Sequence, residues 1–217
     1  MKIESATIIH RNQTLFSDLS LEIRENEHWA VVGESGSGKS ALLNAIYGRY
    51  VVTSGKISYD FCERYVKAHP VNDPLFSPRR FMAHVDLRHD FRPQPGAGEL
   101  YYQQRFNAGF ADNAPTVAGY LMDAAQSEAG YWSLSRVAAV FELEVLWEKH
   151  LIKLSSGEGK RVRMAGALLK NPRLLLLDHP LAGLDAGFRE KFEEIFAQIA
   201  DSGMTVVKET RPAEIPN

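Results

Sequence analysis

The stretch HWAVVGESGSGKSALLNAIYG, residues 28–48, decides the fold. Residues 29–32 are apolar and read as a strand, residues 40–47 read as a helix, and the turn between them is rich in glycine. That turn, Gly33-Glu34-Ser35-Gly36-Ser37-Gly38-Lys39-Ser40, matches the phosphate-binding pattern G-x-x-x-x-G-K-[ST]. Its glycines let the backbone curl so that successive amides face phosphate oxygens. The helix that follows, through Ser40 and Ala41, adds the positive end of its dipole. In such a loop the lysine, Lys39, reaches the β- and γ-phosphates, and the hydroxyl of Ser40 ligates magnesium. The spacing therefore predicts a nucleotide site.

A second stretch, LLLLDHPLAGLD at residues 174–185, supplies the other half. Four aliphatic residues predict a buried strand, and Asp178 at its end would hold magnesium, usually through water. The residue that follows is His179. In many nucleotide hydrolases of this build a glutamate stands there and handles the attacking water.

Composition narrows the class. The chain has 217 residues and 45% hydrophobic content, enough for one sizeable core. A net charge of −2 and a pI near 6.4 argue against a general nucleic-acid or membrane-surface binder. The single cysteine, Cys62, excludes an internal disulfide and fits a reducing compartment. Nothing in the N-terminal residues resembles a signal peptide, and no apolar run approaches the roughly 18 residues of a membrane span. A cytoplasmic chain is expected, and any transport role would act through partner subunits.

Residues 2–9 and 19–23 read as strands separated by the turn RNQT. SGKISYD and RRFMAHVDL read as further strands. Residues 116–149 read as helices up to Lys149. Residues 158–170 and 187–201 read as two more, with strands at 173–177 and 204–208. This order predicts an α/β fold of the P-loop NTPase type: a mixed sheet flanked by helices, with an inserted helical subdomain. The expected core is 1–87 with 158–217, and the expected subdomain is 88–157.

Between the two halves lies LSSGE, residues 154–158, followed by GKRVRMAGALLKNP. Alone, Ser155-Ser156-Gly157 before a helix is an ordinary N-terminal cap. Placed before the Asp178 strand, with LAGLD after it, it closely resembles the ABC-type ATPases, whose signature loop reads LSGGQ. Here Ser156 replaces a glycine and Glu158 the glutamine. The resemblance runs over residues 1 to about 211. Within the family the chain looks most similar to the twin-domain ATP-binding proteins associated with molybdate transport.

The resemblance implies ATP and Mg2+ as cofactors and a head-to-tail dimer with a second ATPase domain, as a homodimer, heterodimer or tandem. ATP would lie between the phosphate loop of one domain and Ser155, Ser156, Gly157 and Glu158 of the other. Asp185 would link the two sites across the interface. It also implies membrane transporter subunits as partners, at the inner face of a membrane. Family chains continue beyond EIPN, so a fragment or the first half of a tandem protein is expected. Adenine recognition would fall to His10, whose imidazole can stack on a base; a plain turn histidine is the alternative. Lys160, Arg161 and Arg163 read either as a basic contact patch or as a solvated helix face.

The chain departs from the family at three points, all on the hydrolytic machinery. His179 replaces the glutamate, Thr210 falls at the switch histidine, and no glutamine occurs at Leu87 to His89. General acid–base help is worth about 10² to 10⁴ in rate. The expectation is an ATP site that binds well and cuts poorly, which a glutamate at 179 would improve. A nucleotide-gated module without turnover is the alternative from another class. An RNA- or ribosome-associated ATPase is a third, disfavoured by the charge.

Overall fold

The computed structural model describes residues 1–69, 73–86, 114–125 and 130–210. β1 (Lys2–His10) and β2 (Gln13–Glu22) form a hairpin through Arg11 and Asn12, both at positive φ, 47° and 61°. This is the turn geometry whose twist matches that of the flanking strands, and asparagine tolerates it well. β4 (Val51–Ser58) pairs with the other edge of β1 and completes an antiparallel sheet ordered β2-β1-β4.

The second sheet is parallel. Its order is β3-β7-β6-β5, from β3 (His28–Val32), β7 (Thr205–Thr210), β6 (Leu174–Leu177) and β5 (Met82–Val85). All four leucines of β6 are buried, as a strand with neighbours on both edges and cover on both faces requires. The α/β, P-loop-type architecture expected from the motifs is therefore present. Its parallel and antiparallel pairings are divided between two sheets.

α1 (Lys39–Ile46) buries Leu43, Ala45 and Ile46 in one cluster with Ile3, Ile8, Leu176 and Val207. This apolar stripe fixes the helix, and so the loop that feeds it, over strands of both sheets. α2 (Asp60–Ala68) was not apparent in the sequence pattern. It carries Asp60 and Glu63 in its first turn and Lys67 in its last, the charge order that favours a helix dipole.

Contacts divide the chain into two units. The first comprises Met1–Val85, Pro172–Pro180 and Ala197–Asn217; the second comprises Asp86–Asn171 and Leu181–Phe196. The second unit contains α3 (Val117–Ala124), α4 (Leu134–Val140) and α5 (Ser156–Leu169). It also takes the first part of α6 (Ala186–Asp201), whose last residues belong to the first unit. α4 ends well before the expected Lys149. Glu142 turns left-handed at φ 53°, and the Leu143 amide closes back on the Ala138 carbonyl at 2.9 Å. That closure sinks Phe141 and Leu143, both 0% exposed, into the unit, where a continued helix would hold them less well.

The basic run on α5 is neither a contact patch nor a solvated face. Lys160 is 1% exposed. Arg163 donates to the Asp86 carbonyl at 3.0 Å, and Arg161 donates to the Phe141 carbonyl at 3.1 Å while lying over the Phe188 ring. Among the described residues no helix is long and apolar enough to cross a membrane.

Candidate functional site

The phosphate loop leaves β3 and enters α1 with Gly36 at φ 83° and Gly38 at φ 91°, backbone that an L side chain adopts only under strain. No side chain caps α1, so the amides of its first turn, from Lys39 through Ala41, keep their positive end toward the loop. Glu34, Ser35, Gly36 and Ser37 are exposed, and Gly33 and Gly38 are half-buried. Lys39 lies underneath and is buried. Its Nζ donates to the carbonyls of Gly33 and Glu34, both at 2.8 Å, and stands 3.2 Å from Oε1 of Glu209.

β6 delivers Asp178 to the same place, its amide donating to the Val85 carbonyl at 2.8 Å. The Ser40 hydroxyl donates to Oδ1 of Asp178 at 2.8 Å. Burial raises the Asp178 carboxyl above the ordinary aspartate range. The hydrogen bond from Ser40 opposes this, and the nearby Glu209 carboxylate adds to it. A hydroxyl and a carboxylate side by side, in a pocket holding two carboxylates against one ammonium, suit a hard divalent cation. Magnesium fits the donor set, with Ser40 and Asp178 as the residues that would hold it.

Sequence reasoning missed Glu209. The structure places Thr210, the expected switch position, at the buried end of β7 in register with Val32. Alternation along β7 turns the preceding side chain the other way, into the site. Oε2 of Glu209 accepts from the His179 amide at 2.9 Å and lies 2.6 Å from His179 Nδ1. His179 itself has φ 48°, a left-handed conformation in which histidine is enriched. Its Nε2 is 4.0 Å from Oδ1 of Asp178. The available signal was an ionisable pair, Lys208-Glu209, directly after the apolar pair Val206-Val207 in the strand TVVKET. Leu87 to His89, where the family's glutamine would fall, lie outside the described residues.

His10 ends β1 and is exposed, and its ring centroid lies 4.6 Å from that of Tyr50, tilted by 39°. Tyr50 was also missed; together the two rings form an aromatic shelf of the first unit.

The signature loop belongs to the second unit. Ser155 caps α5 by accepting from the Glu158 amide at 3.3 Å. Glu158 returns the bond, its Oε2 accepting from the Ser155 amide at 2.7 Å. Burial alone would raise the Glu158 carboxyl. The Lys149 ammonium, 2.9 Å from both oxygens, and the Ser155 donors outweigh it and hold the group below the usual range. A Cβ on Gly157 would stand 2.9 Å from the Gly183 carbonyl oxygen, so this position excludes side chains. Ser156, in place of a glycine, is exposed. Asp185 caps α6 by accepting from the Phe188 amide at 2.9 Å.

Comparison with known proteins places this arrangement. The ABC transporter family profile matches residues 16–182, and the chain belongs to that family. It is 25% identical over 214 residues to an ABC transporter ATP-binding protein of Clostridium acetobutylicum, covering 99% of this chain and 83% of the relative. It is 32% identical over 190 residues to the energy-coupling factor transporter ATP-binding protein EcfA2 of Streptococcus pyogenes. That match covers 88% of this chain and spans 62% of the relative's length. Among solved structures, the ATP-binding subunit of an ABC transporter superposes with a TM-score of 0.68 at 21% identity, covering 97% of this chain and 79% of the other. The cbiO1 subunit of Clostridium perfringens, part of the cbiONQ ABC transporter complex, gives 0.64 at 21% identity, covering 99% and 79%. These two likenesses bear on the fold alone.

Proposed function

We infer that the chain is the ATP-binding part of a transporter's ATPase, bound at the cytoplasmic face of a membrane through partner subunits. The observation that carries this reading is the convergence of Lys39, Ser40 and Asp178 beneath the exposed amides of the phosphate loop. Mg-ATP would take its phosphates from residues 33–41 and its cation from Ser40 and Asp178. Its base would rest on the His10–Tyr50 shelf.

ATP would also drive association with a second ATPase domain. Ser155 and Ser156 are exposed at the N-terminus of α5 with Gly157 beside them, a surface that would suit the γ-phosphate of a neighbouring copy. Asp185 would serve the same interface. Hydrolysis would be slow, because position 179 lacks a carboxylate and its imidazole is tied to Glu209. The transported solute would be chosen by the membrane partners; the name of one relative points to energy-coupling-factor systems, a different type from the molybdate-associated proteins of the sequence resemblance.

Size-exclusion chromatography in saturating Mg-ATP tests the reading. A nucleotide-dependent dimer that Ser155→Arg abolishes is expected, with slow phosphate release from the wild type. A monomer under all nucleotide conditions would remove the homodimer, and fast release would remove the impaired site.

A further inference from the structure

The geometry points to His179 as a ligand of the cation that accompanies ATP, shifting the site from magnesium toward divalent ions that accept nitrogen, such as manganese and cobalt. This rests on the reading above, in which Ser40 and Asp178 hold that cation.

Glu209 determines which nitrogen of the ring is offered. A carboxylate can only accept, so Nδ1 at 2.6 Å is the protonated nitrogen, donating to Oε2. The same oxygen takes the His179 amide, so Oε2 is held by two donors, while Oε1 is ion-paired with Lys39 at 3.2 Å. In the neutral ring Nε2 is then the nitrogen that carries a lone pair. It faces Oδ1 of Asp178 at 4.0 Å, too far for a direct hydrogen bond.

That separation suits a shared ion. Ligand atoms about 2.0–2.2 Å from one cation stand roughly 2.9 Å apart at right angles and roughly 4.2 Å apart when opposed. Ser40 Oγ and Asp178 Oδ1 at 2.8 Å match the first spacing, and Asp178 Oδ1 and His179 Nε2 at 4.0 Å approach the second. Glu209 is too close to Nδ1 to share the ion and acts from behind the ring. The order carboxylate, histidine, metal is the one that orients metal-binding imidazoles generally. Asp178, His179 and Glu209 bring polar side-chain atoms within 4.8 Å of one another. Their two carboxylates, set against the single ammonium of Lys39, leave net negative charge for a cation. A nitrogen ligand favours the later divalent metals over magnesium, which prefers oxygen.

The test is pulsed EPR of Mn2+-ATP bound to the chain, grown with natural or [15N]histidine. A histidine nitrogen coupling that changes with the label is expected, and the label arm needs no variant. His179→Gln should abolish it, and should lower the preference of ATP binding for Co2+ over Mg2+ by at least tenfold in calorimetry. His179→Asn serves if the glutamine variant does not fold. Bound Mn2+-ATP without a histidine coupling would overturn the inference while leaving the nucleotide site standing. Absence of any Mn2+-ATP binding would overturn both.

Discussion

Oε2 of Glu209 lies 2.6 Å from Nδ1 of His179, so the residue standing where the family has a glutamate is itself held by a glutamate. This changes what a simple reversion would do. His179→Glu alone would press a second carboxylate against Glu209 beside Asp178, and like charges in a buried site repel strongly. The single variant should melt at lower temperature than the wild type and gain no turnover. Combined with Glu209→Gln it should release phosphate at least tenfold faster, within the range of general-base help. Equal turnover in the single and double variants would refute the coupling.

Lys39 and Glu209 form a buried ion pair, 6% and 0% exposed in their side chains. Removing one partner of such a pair strands the other's charge and costs about 3–5 kcal/mol. Lys39→Met should therefore destabilise the chain on that scale in urea. Lys39→Met with Glu209→Gln should lose much less than the two single losses added together. Strict additivity would show that the pair is not coupled.

The contrast between His179 and Glu209 shows what the sequence could reveal. The loop at 33–40, the Asp178 strand and the capped helix at 155–158 were legible because each follows a local rule with fixed spacing. The first strand, the parallel strands and α5 followed from the same periodicities, whereas β2 begins at Gln13, well ahead of the expected 19–23, because pairing with β1 carries residues 13–18 into the ladder. Glu209 was hidden because its role depends on the register of β7 beside β3 and β6, which no local pattern states. Tyr50 was hidden likewise, since its approach to His10 is set by the pairing of β4 with β1. α4 ended early because burial of Phe141 and Leu143 outweighed helical continuation. Lys160 read as solvated because charge alone suggests a surface, and tertiary packing buried it.

Tyr59 gives the fold an alkaline limit. Its hydroxyl donates to the Ile46 carbonyl at 2.6 Å, and burial pushes its pKa up to about 12. The raised value makes this contribution complete below the unfolded pKa of about 10 and lost as pH rises from there toward 12. The loss should approach about 2–3 kcal/mol. Tyr59→Phe should flatten that part of the pH profile in urea titrations between about pH 9 and 12, while costing about 1 kcal/mol at neutral pH for the lost hydrogen bond. An unchanged alkaline slope would assign the effect to other groups.

Everything proposed for this site depends on the phosphate loop, with Lys39 beneath it, binding Mg-ATP. The most direct measurement is calorimetric titration of Mg-ATP into Glu209→Gln and into Lys39→Met/Glu209→Gln, a pair in which no buried carboxylate is stranded. Magnesium-dependent binding to the first and at least about tenfold weaker binding to the second are expected, the scale of one lost charge-assisted hydrogen bond. Equal affinity in two folded variants would contradict this expectation.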